Sequence, residues 1–147
     1  MPEISGITFE YPKLLTLEYV KENGILMSDD DDTFEFRSYW EGSFDHYERL
    51  FYQDKPFSGL LYDIRPNGNL WFYKYYVGGY EEGESVDFYS EGQIQQYCYC
   101  NPKDRTLILK WNENGQLINI LERVFPSTKY REVLLDEQGN IVETKQR

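Results

Sequence analysis

The side chains that could carry catalysis are few and widely spaced. His46 is the only histidine among the 147 residues, so a Ser-His-Asp or Cys-His hydrolase would need it as the general base. No serine or cysteine accompanies it in a nucleophile-elbow context. The chain also lacks a Gly-rich phosphate loop ending in Lys-Ser or Lys-Thr. We therefore expect a structural His46 and a protein that is not an enzyme.

The spacing of the candidate metal ligands does not match that of a metal-binding site. Cys98 and Cys100 lie two apart on a predicted strand, so both point to one face, where we expect two small buried thiols. The acidic run at 29–32, tested as an EF-hand loop beginning at Asp30, places Glu35 where that loop requires glycine. We expect no metal site and no cofactor.

The chain carries strong negative charge, which favours a basic partner. Its formal net charge is −11, from 26 acidic and 15 basic residues. Such a field repels nucleic acid and anionic membranes and attracts a basic protein. Carboxylates would steer this partner and tyrosines would supply buried contact area. The predicted contact residues are Asp29, Asp30, Asp31, Asp32, Tyr75, Tyr80, Glu81, Glu82, Glu84 and Asp87. The alternative is a solvated loop and hairpin edge whose charges prevent aggregation.

Repeated turn glycines define the elements that must position these residues. Aromatic residues make up 18% of the chain, which favours strands. The glycines at 24, 68, 92, 115 and 139 are separated by 44, 24, 23 and 24 residues. Asn114–Gly115 is typical of a type I′ hairpin turn. A period of about 23 residues, with one hairpin in each unit, follows from these intervals.

The positions around the last four glycines match as well. Each turn is flanked by apolar residues six before, four before and two after the glycine. Positions that step by two share one sheet face, so these residues should form the core. They are Tyr62, Val86, Leu109 and Val133; Ile64, Phe88, Trp111 and Leu135; and Leu70, Ile94, Leu117 and Ile141.

We predict an all-β fold, a single elongated antiparallel β-meander of stacked, MORN-like hairpins. Residues 1–147 form one domain, with an irregular N-terminal β region at 1–50 and hairpin repeats at 51–147. Within the first region, 16–26 should form a hairpin around Gly24 and 33–40 a strand, while 45–53 could be strand or helix. Simple alternation places Leu70 on one face with Phe72 and Tyr76.

Localisation follows from what the chain lacks. No apolar run approaches the ~20 residues of a membrane helix. The first residues also lack the basic start and apolar stretch of a signal peptide. We expect a cytoplasmic protein that does not contact membranes.

Residues 51–143 resemble the bacterial MORN-repeat-variant proteins that act as antitoxins or immunity proteins. The matching steps are "DKPFSG" at 54–59, "PNGNL" at 66–70, "YVGGYEEG" at 76–83, "FYSEGQI" at 88–94 and "NENGQL" at 112–117. Residues 1–50 depart from the pattern, as do "CNPKDRTLI" and "FPSTKY". The resemblance implies a cytosolic immunity protein or antitoxin that binds a basic toxin domain, such as that of a nuclease. The alternative is a scaffolding repeat protein that assembles with itself or with envelope components.

Overall fold

The computed structural model describes residues 3–27, 34–41, 45–101, 103–127 and 129–146. Fourteen strands and one short helix are described. In chain order they are β1 (Glu3–Ile4), β2 (Ile7–Thr8), α1 (Leu17–Asn23), β3 (Ile25–Leu26), β4 (Phe34–Glu41), β5 (Asp45–Tyr52), β6 (Lys55–Pro56), β7 (Gly59–Ile64), β8 (Leu70–Val77), β9 (Tyr80–Phe88), β10 (Ile94–Cys100), β11 (Arg105–Trp111), β12 (Leu117–Val124), β13 (Tyr130–Leu135) and β14 (Ile141–Gln146).

Strands β7 to β14 form an antiparallel meander in which each strand pairs with its neighbours in sequence. The two-residue β3 adds to β7 in parallel, which completes a nine-stranded sheet. The four turns with glycines 68, 92, 115 and 139 join β7–β8, β9–β10, β11–β12 and β13–β14. The predicted all-β meander with one hairpin per 23-residue unit is therefore confirmed for these strands.

One face of this sheet, called face A here, carries the repeat positions. A straight row of cross-strand partners runs through Tyr62, Tyr73, Val86, Tyr97, Leu109, Ile120 and Val133. All seven are buried in the main core cluster. Phe88, Trp111 and Leu135 are buried in the same cluster, and Ile64, Leu70, Ile94 and Leu117 pack against it. Ile141 is the exception, since 51% of its surface is exposed.

The N-terminal segment covers face A. Ile7, Phe9 and Val20 have no exposed surface and belong to the main core cluster. The backbone N–H of Leu15 donates a hydrogen bond to the Tyr73 hydroxyl at 3.2 Å. Residues that look irregular in sequence thus supply the second layer that a hairpin sheet needs to bury its apolar face.

A second, three-stranded sheet covers part of the opposite face, called face B. Its order is β4-β5-β6, so 45–53 contains a strand and the predicted strand at 33–40 is present as β4. Leu50 and Phe57 pack against Leu61 and Tyr76 of the large sheet. Face B is therefore covered over β7 and β8 by a separate apolar cluster.

The hairpin predicted around Gly24 is wrong, because the segment forms α1. The Thr16 side chain caps the helix by accepting from the N–H of Tyr19 at 3.1 Å. Gly24 ends the helix at a φ of −108°, outside the left-handed region. A Cβ there would lie 2.8 Å from the Val20 carbonyl oxygen and 2.9 Å from the Tyr62 ring. Close approach to β7 therefore explains this glycine.

The simple alternation predicted after Gly68 is also wrong. Leu70 pairs with Ile64 while Phe72 pairs with Asp63, so Trp71 is an extra residue in β8. This β-bulge moves Leu70 to face A, where it packs against the main cluster, while Phe72 packs on face B. The same shift leaves Gln95, Ile118 and Val142 without partners, three residues after each later glycine.

Candidate functional site

The structure divides the predicted acidic surface on β8 and β9 between the two faces. Tyr75 and Glu84 lie on face A, where Tyr75 packs against the main core cluster. Burial raises the pKa of the Tyr75 hydroxyl. Glu84 accepts a hydrogen bond from the Tyr97 hydroxyl at 2.8 Å. Both side chains already have partners within the fold.

Glu81 and Asp87 lie on face B, close to Lys74. The Lys74 Nζ is 3.4 Å from Glu81 Oε1. Burial raises the pKa of the Asp87 carboxyl, an effect that the charge of Lys74 partly opposes. The cation therefore offsets part of the negative charge predicted for this hairpin.

Tyr80 and Glu82 complete the set of predicted contact residues on this hairpin. The Arg49 guanidinium lies 5.2 Å from the centre of the Tyr80 ring, which leaves 43% of this side chain exposed. Glu82 is partly exposed. Asp29, Asp30, Asp31 and Asp32 lie outside the described residues. Of the ten predicted contact residues, the six that are described do not form one continuous surface.

A different acidic surface lies at the end of the sheet that carries the repeat turns. The type I′ prediction for Asn114–Gly115 is wrong, because only Gly115 has a positive φ. The N–H of Gly115 donates to the Asn112 carbonyl at 3.1 Å, and Gly115 itself has a φ of +83°. This is a type I turn followed by a left-handed glycine, the geometry of a three-residue hairpin loop with a bulge. Gly68, Gly92 and Gly139 make the same hydrogen bond in their own turns.

Side-chain amides connect successive turns into a row that we call the turn ridge, residues 66–69, 90–93, 113–116 and 137–140. The residue after each glycine is Asn or Gln. In the first three turns its amide donates to a backbone carbonyl of the next turn. These bonds are Asn69 to Ser90, Gln93 to Glu113 and Gln116 to Glu137, at 3.1, 3.0 and 2.6 Å. The turns are therefore held in fixed relative positions.

The turn ridge is acidic. Glu91, Glu113 and Glu137 are exposed, and none of the sixteen ridge residues is Lys or Arg. Neighbouring turns are two strands apart, which places these carboxylates at a spacing of about 10 Å. At one end of the ridge lies Trp71, which is 41% exposed and stacks on the Arg65 guanidinium at 4.8 Å. The arrangement is a regular row of exposed carboxylates.

Charge density in the sequence does not reveal this site, although a signal for it is present. The glycine anchors by themselves indicate a scaffold, and the acidic residues beside them are isolated in sequence. Glu91, Glu113 and Glu137 lie one or two positions before the glycine in the last three turns. Aligning the polar turn residues in the same way as the apolar ones would bring these three carboxylates into one row.

The two cysteines share a face, as predicted, but are only half-buried. Cys98 pairs with Ser85 and Ile108 on face B, and Cys100 follows two residues later. Burial raises the pKa of the Cys98 thiol to about 11. Among the described residues, no group of three His, Cys, Asp or Glu side chains is placed to hold a metal ion. The His46 side chain lies outside the described part of the chain.

None of the helices in the described part of the chain is long and apolar enough to cross a membrane. Comparison with protein-family models, curated proteins and solved structures finds no match to this chain.

Proposed function

We propose that this chain is a non-enzymatic protein-binding module, a cytosolic immunity protein or antitoxin that neutralises a basic toxin domain. The observation that carries the proposal is the turn ridge, in which hydrogen bonds hold three exposed carboxylates in register. A rigid surface loses little conformational freedom on binding, so more of its contact energy contributes to affinity.

The charge of the whole chain supports the same partner. A net charge of −11 accelerates the encounter with a basic domain at low ionic strength. A nuclease toxin has a positively charged active site because its substrate is a polyanion. The carboxylates of Glu91, Glu113 and Glu137 would occupy that site, with Trp71 as an aromatic contact at the end of the row.

The resemblance to MORN-repeat-variant antitoxins supports the proposal independently of charge. It extends over residues 51–143, which include all four turns of the ridge. The N-terminal region, which departs from the family pattern, packs on face A and leaves the turn ridge exposed.

Growth protection tests the proposal. The protein encoded by the adjacent reading frame is expressed in a host with and without this chain, and growth is compared. We expect the neighbouring protein to inhibit growth and this chain to restore it. The triple variant Glu91→Lys, Glu113→Lys and Glu137→Lys should lose protection.

A matched control separates the ridge from net charge. Glu10, Glu22 and Glu48 are exposed and lie outside the ridge. Their replacement by Lys changes the formal charge by the same amount and should leave protection intact. Full protection by the ridge variant, or no complex between the two purified proteins, would overturn the proposal.

The alternative function is a scaffold that assembles through its sheet. The observation that favours it is the exposed edge of β14, which pairs with β13 alone among the described strands. A scaffold would form open-ended assemblies that grow with concentration and need no second protein. Sedimentation of the purified chain distinguishes the two functions.

A further inference from the structure

The edge strand β14 is both exposed and apolar at its start. Val142 is 66% exposed and Ile141 is 51% exposed. Only Lys145 among its six residues is partly buried. No proline interrupts the strand. An edge of this kind presents unpaired backbone donors and acceptors to another strand.

We propose that β14 pairs antiparallel with β14 of a second copy, about a two-fold axis that passes between the two Thr144 residues. The strand sequence is self-complementary in this register. Glu143 lies opposite Lys145 of the second copy, and by symmetry Lys145 lies opposite Glu143. Unlike charges directly opposite each other stabilise an antiparallel pair, and like charges destabilise it.

The other symmetric registers are less favourable. A two-fold axis at Glu143 would place two carboxylates directly opposite each other, and an axis at Lys145 would do the same with two ammonium groups. An axis at Val142 would place Glu143 opposite the exposed Ile141, so neither charge would face an opposite charge across the junction. Of these registers, only the one with its axis between the two Thr144 residues places both Glu143 and Lys145 opposite a residue of unlike charge in the second copy.

The faces of the sheet are consistent with this register. Thr144 pairs with Val133 and thus continues the buried row on face A, while Glu143 and Lys145 lie on face B. A two-fold axis perpendicular to the sheet keeps face A next to face A and face B next to face B. The two charge pairs would therefore lie together on one side of the junction.

The contact closes on itself. A two-fold interface uses the same strand from both copies, so no β14 edge remains for a third. About five residues on each side make a small interface, which favours a weak, concentration-dependent dimer. The inference does not depend on the proposed toxin partner, since it concerns only the chain and its own copy.

A charge swap tests the register. The 147-residue chain, with any tag at its N terminus, is studied by sedimentation equilibrium over a wide concentration range at low salt. We expect a monomer–dimer equilibrium. Glu143→Lys places Lys opposite Lys twice, and Lys145→Glu places Glu opposite Glu twice, so each single variant should weaken the dimer at least about tenfold.

Within each copy Lys145 also pairs with Glu132 of β13, so Lys145→Glu adds a like-charge pair inside the chain as well. The double variant Glu143→Lys/Lys145→Glu restores both pairs across the junction and should dimerise more strongly than either single variant. Circular dichroism checks that all variants remain folded. Three results would overturn the proposal: a wild type that stays monomeric at millimolar concentration, single variants that dimerise normally, or a double variant that does not recover. Larger open-ended assemblies would also contradict the closed two-fold contact.

Discussion

The exposure of an individual side chain in this protein depends on its position relative to the nearest turn and on the face of the sheet it occupies. Trp111 and Trp71 are both tryptophans next to a repeat turn, but Trp111 is 5% exposed in the main core and Trp71 is 41% exposed. The difference arises because Trp71 occupies the bulge position after its turn, whereas Trp111 occupies a repeat core position before its turn.

Replacement of Trp111 by Ala should lower the free energy of unfolding by about 3–5 kcal/mol, since it leaves a large cavity in a packed core. Urea denaturation measures the change. Trp71→Ala is the matched control and should cost less, about 1 kcal/mol, because Trp71 is 41% exposed and loses mainly its stacking on the Arg65 guanidinium. Equal losses in the two variants would mean that the assignment of faces is wrong.

Asp87 should make stability depend on pH. Burial raises its pKa in the folded state above the usual 3.8. Below about pH 3.8 the carboxyl is protonated in both states, so the folded state does not have to bury a charge. As pH rises through the folded-state pKa the buried carboxyl ionises, and the free energy of unfolding falls. Asp87→Asn stays neutral at every pH. It should therefore gain unfolding free energy relative to the wild type between about pH 3 and about pH 7.

Chemical denaturation at the two pH values measures this difference. The comparison of variant with wild type cancels the contributions of other titrating groups. A variant that loses stability relative to the wild type on going to neutral pH would show that the attraction of Asp87 to the nearby Lys74 charge outweighs the effect of burial.

At the scale of the elements, the turn and not the strand is the recurring unit of construction. Each of the last four hairpins combines the same type I turn, the same positive-φ glycine and the same bulge three residues later. Hydrogen bonds from side-chain amides then link the turns of successive hairpins. Polar contacts thus link the hairpins at one end of the sheet, and the row of buried apolar residues on face A packs across its strands.

Alanine substitutions at two glycines test whether each glycine is required by a turn or by close packing. Gly115 has a φ of +83° and open space where a Cβ would lie, so Gly115→Ala should cost about 1 kcal/mol of left-handed strain. Gly24 has an ordinary φ, but a Cβ would meet the backbone oxygens of Val20 and Leu60. Gly24→Ala should therefore cost about 1–3 kcal/mol through overpacking.

Thermal unfolding followed by circular dichroism ranks the two variants. The larger loss should occur at Gly24. A neutral Gly24→Ala would contradict the close packing of α1 on β7, and a large loss at Gly115 would require a contact that the turn does not show.

The repeat makes most of this architecture predictable from sequence, because glycine spacing and apolar positions before the turn depend on local geometry. The position of Leu70 is not predictable from alternation, because a bulge changes which face a residue occupies without changing the residue type. The helix α1 escapes prediction because its "ENG" at 22–24 is identical to the turn sequence at 113–115. In the structure the two glycines differ both in φ and in the close packing of Gly24 against β7.

The candidate site is less predictable than the fold. Charge density points to 81–87, but density in sequence does not reveal that neighbouring strand residues point to opposite faces. Glu84 and Asp87 illustrate this, since one contacts Tyr97 on face A and the other lies near Lys74 on face B. The turn ridge depends on residues about 23 apart, which only the repeat register brings together.

At the scale of the whole molecule, face A of the large sheet is covered and face B is partly covered. The turn ridge lies at one end of the sheet, and β14 forms an open edge. The N-terminal region contributes cover to both faces and leaves the turn ridge exposed. These features divide the molecule between a packed interior that fixes the strands and an exposed, acidic turn ridge.

The association rate of this chain with its proposed basic partner, sought in the adjacent reading frame, tests the central claim most directly. Stopped-flow measurements at low and high salt compare the wild type, the Glu91/Glu113/Glu137 to Lys variant and the Glu10/Glu22/Glu48 to Lys control. We predict that the ridge variant associates at least about tenfold more slowly at low salt than the control, with the difference reduced by screening at high salt. Equal rates for the two variants would contradict the assignment of the turn ridge as the binding surface.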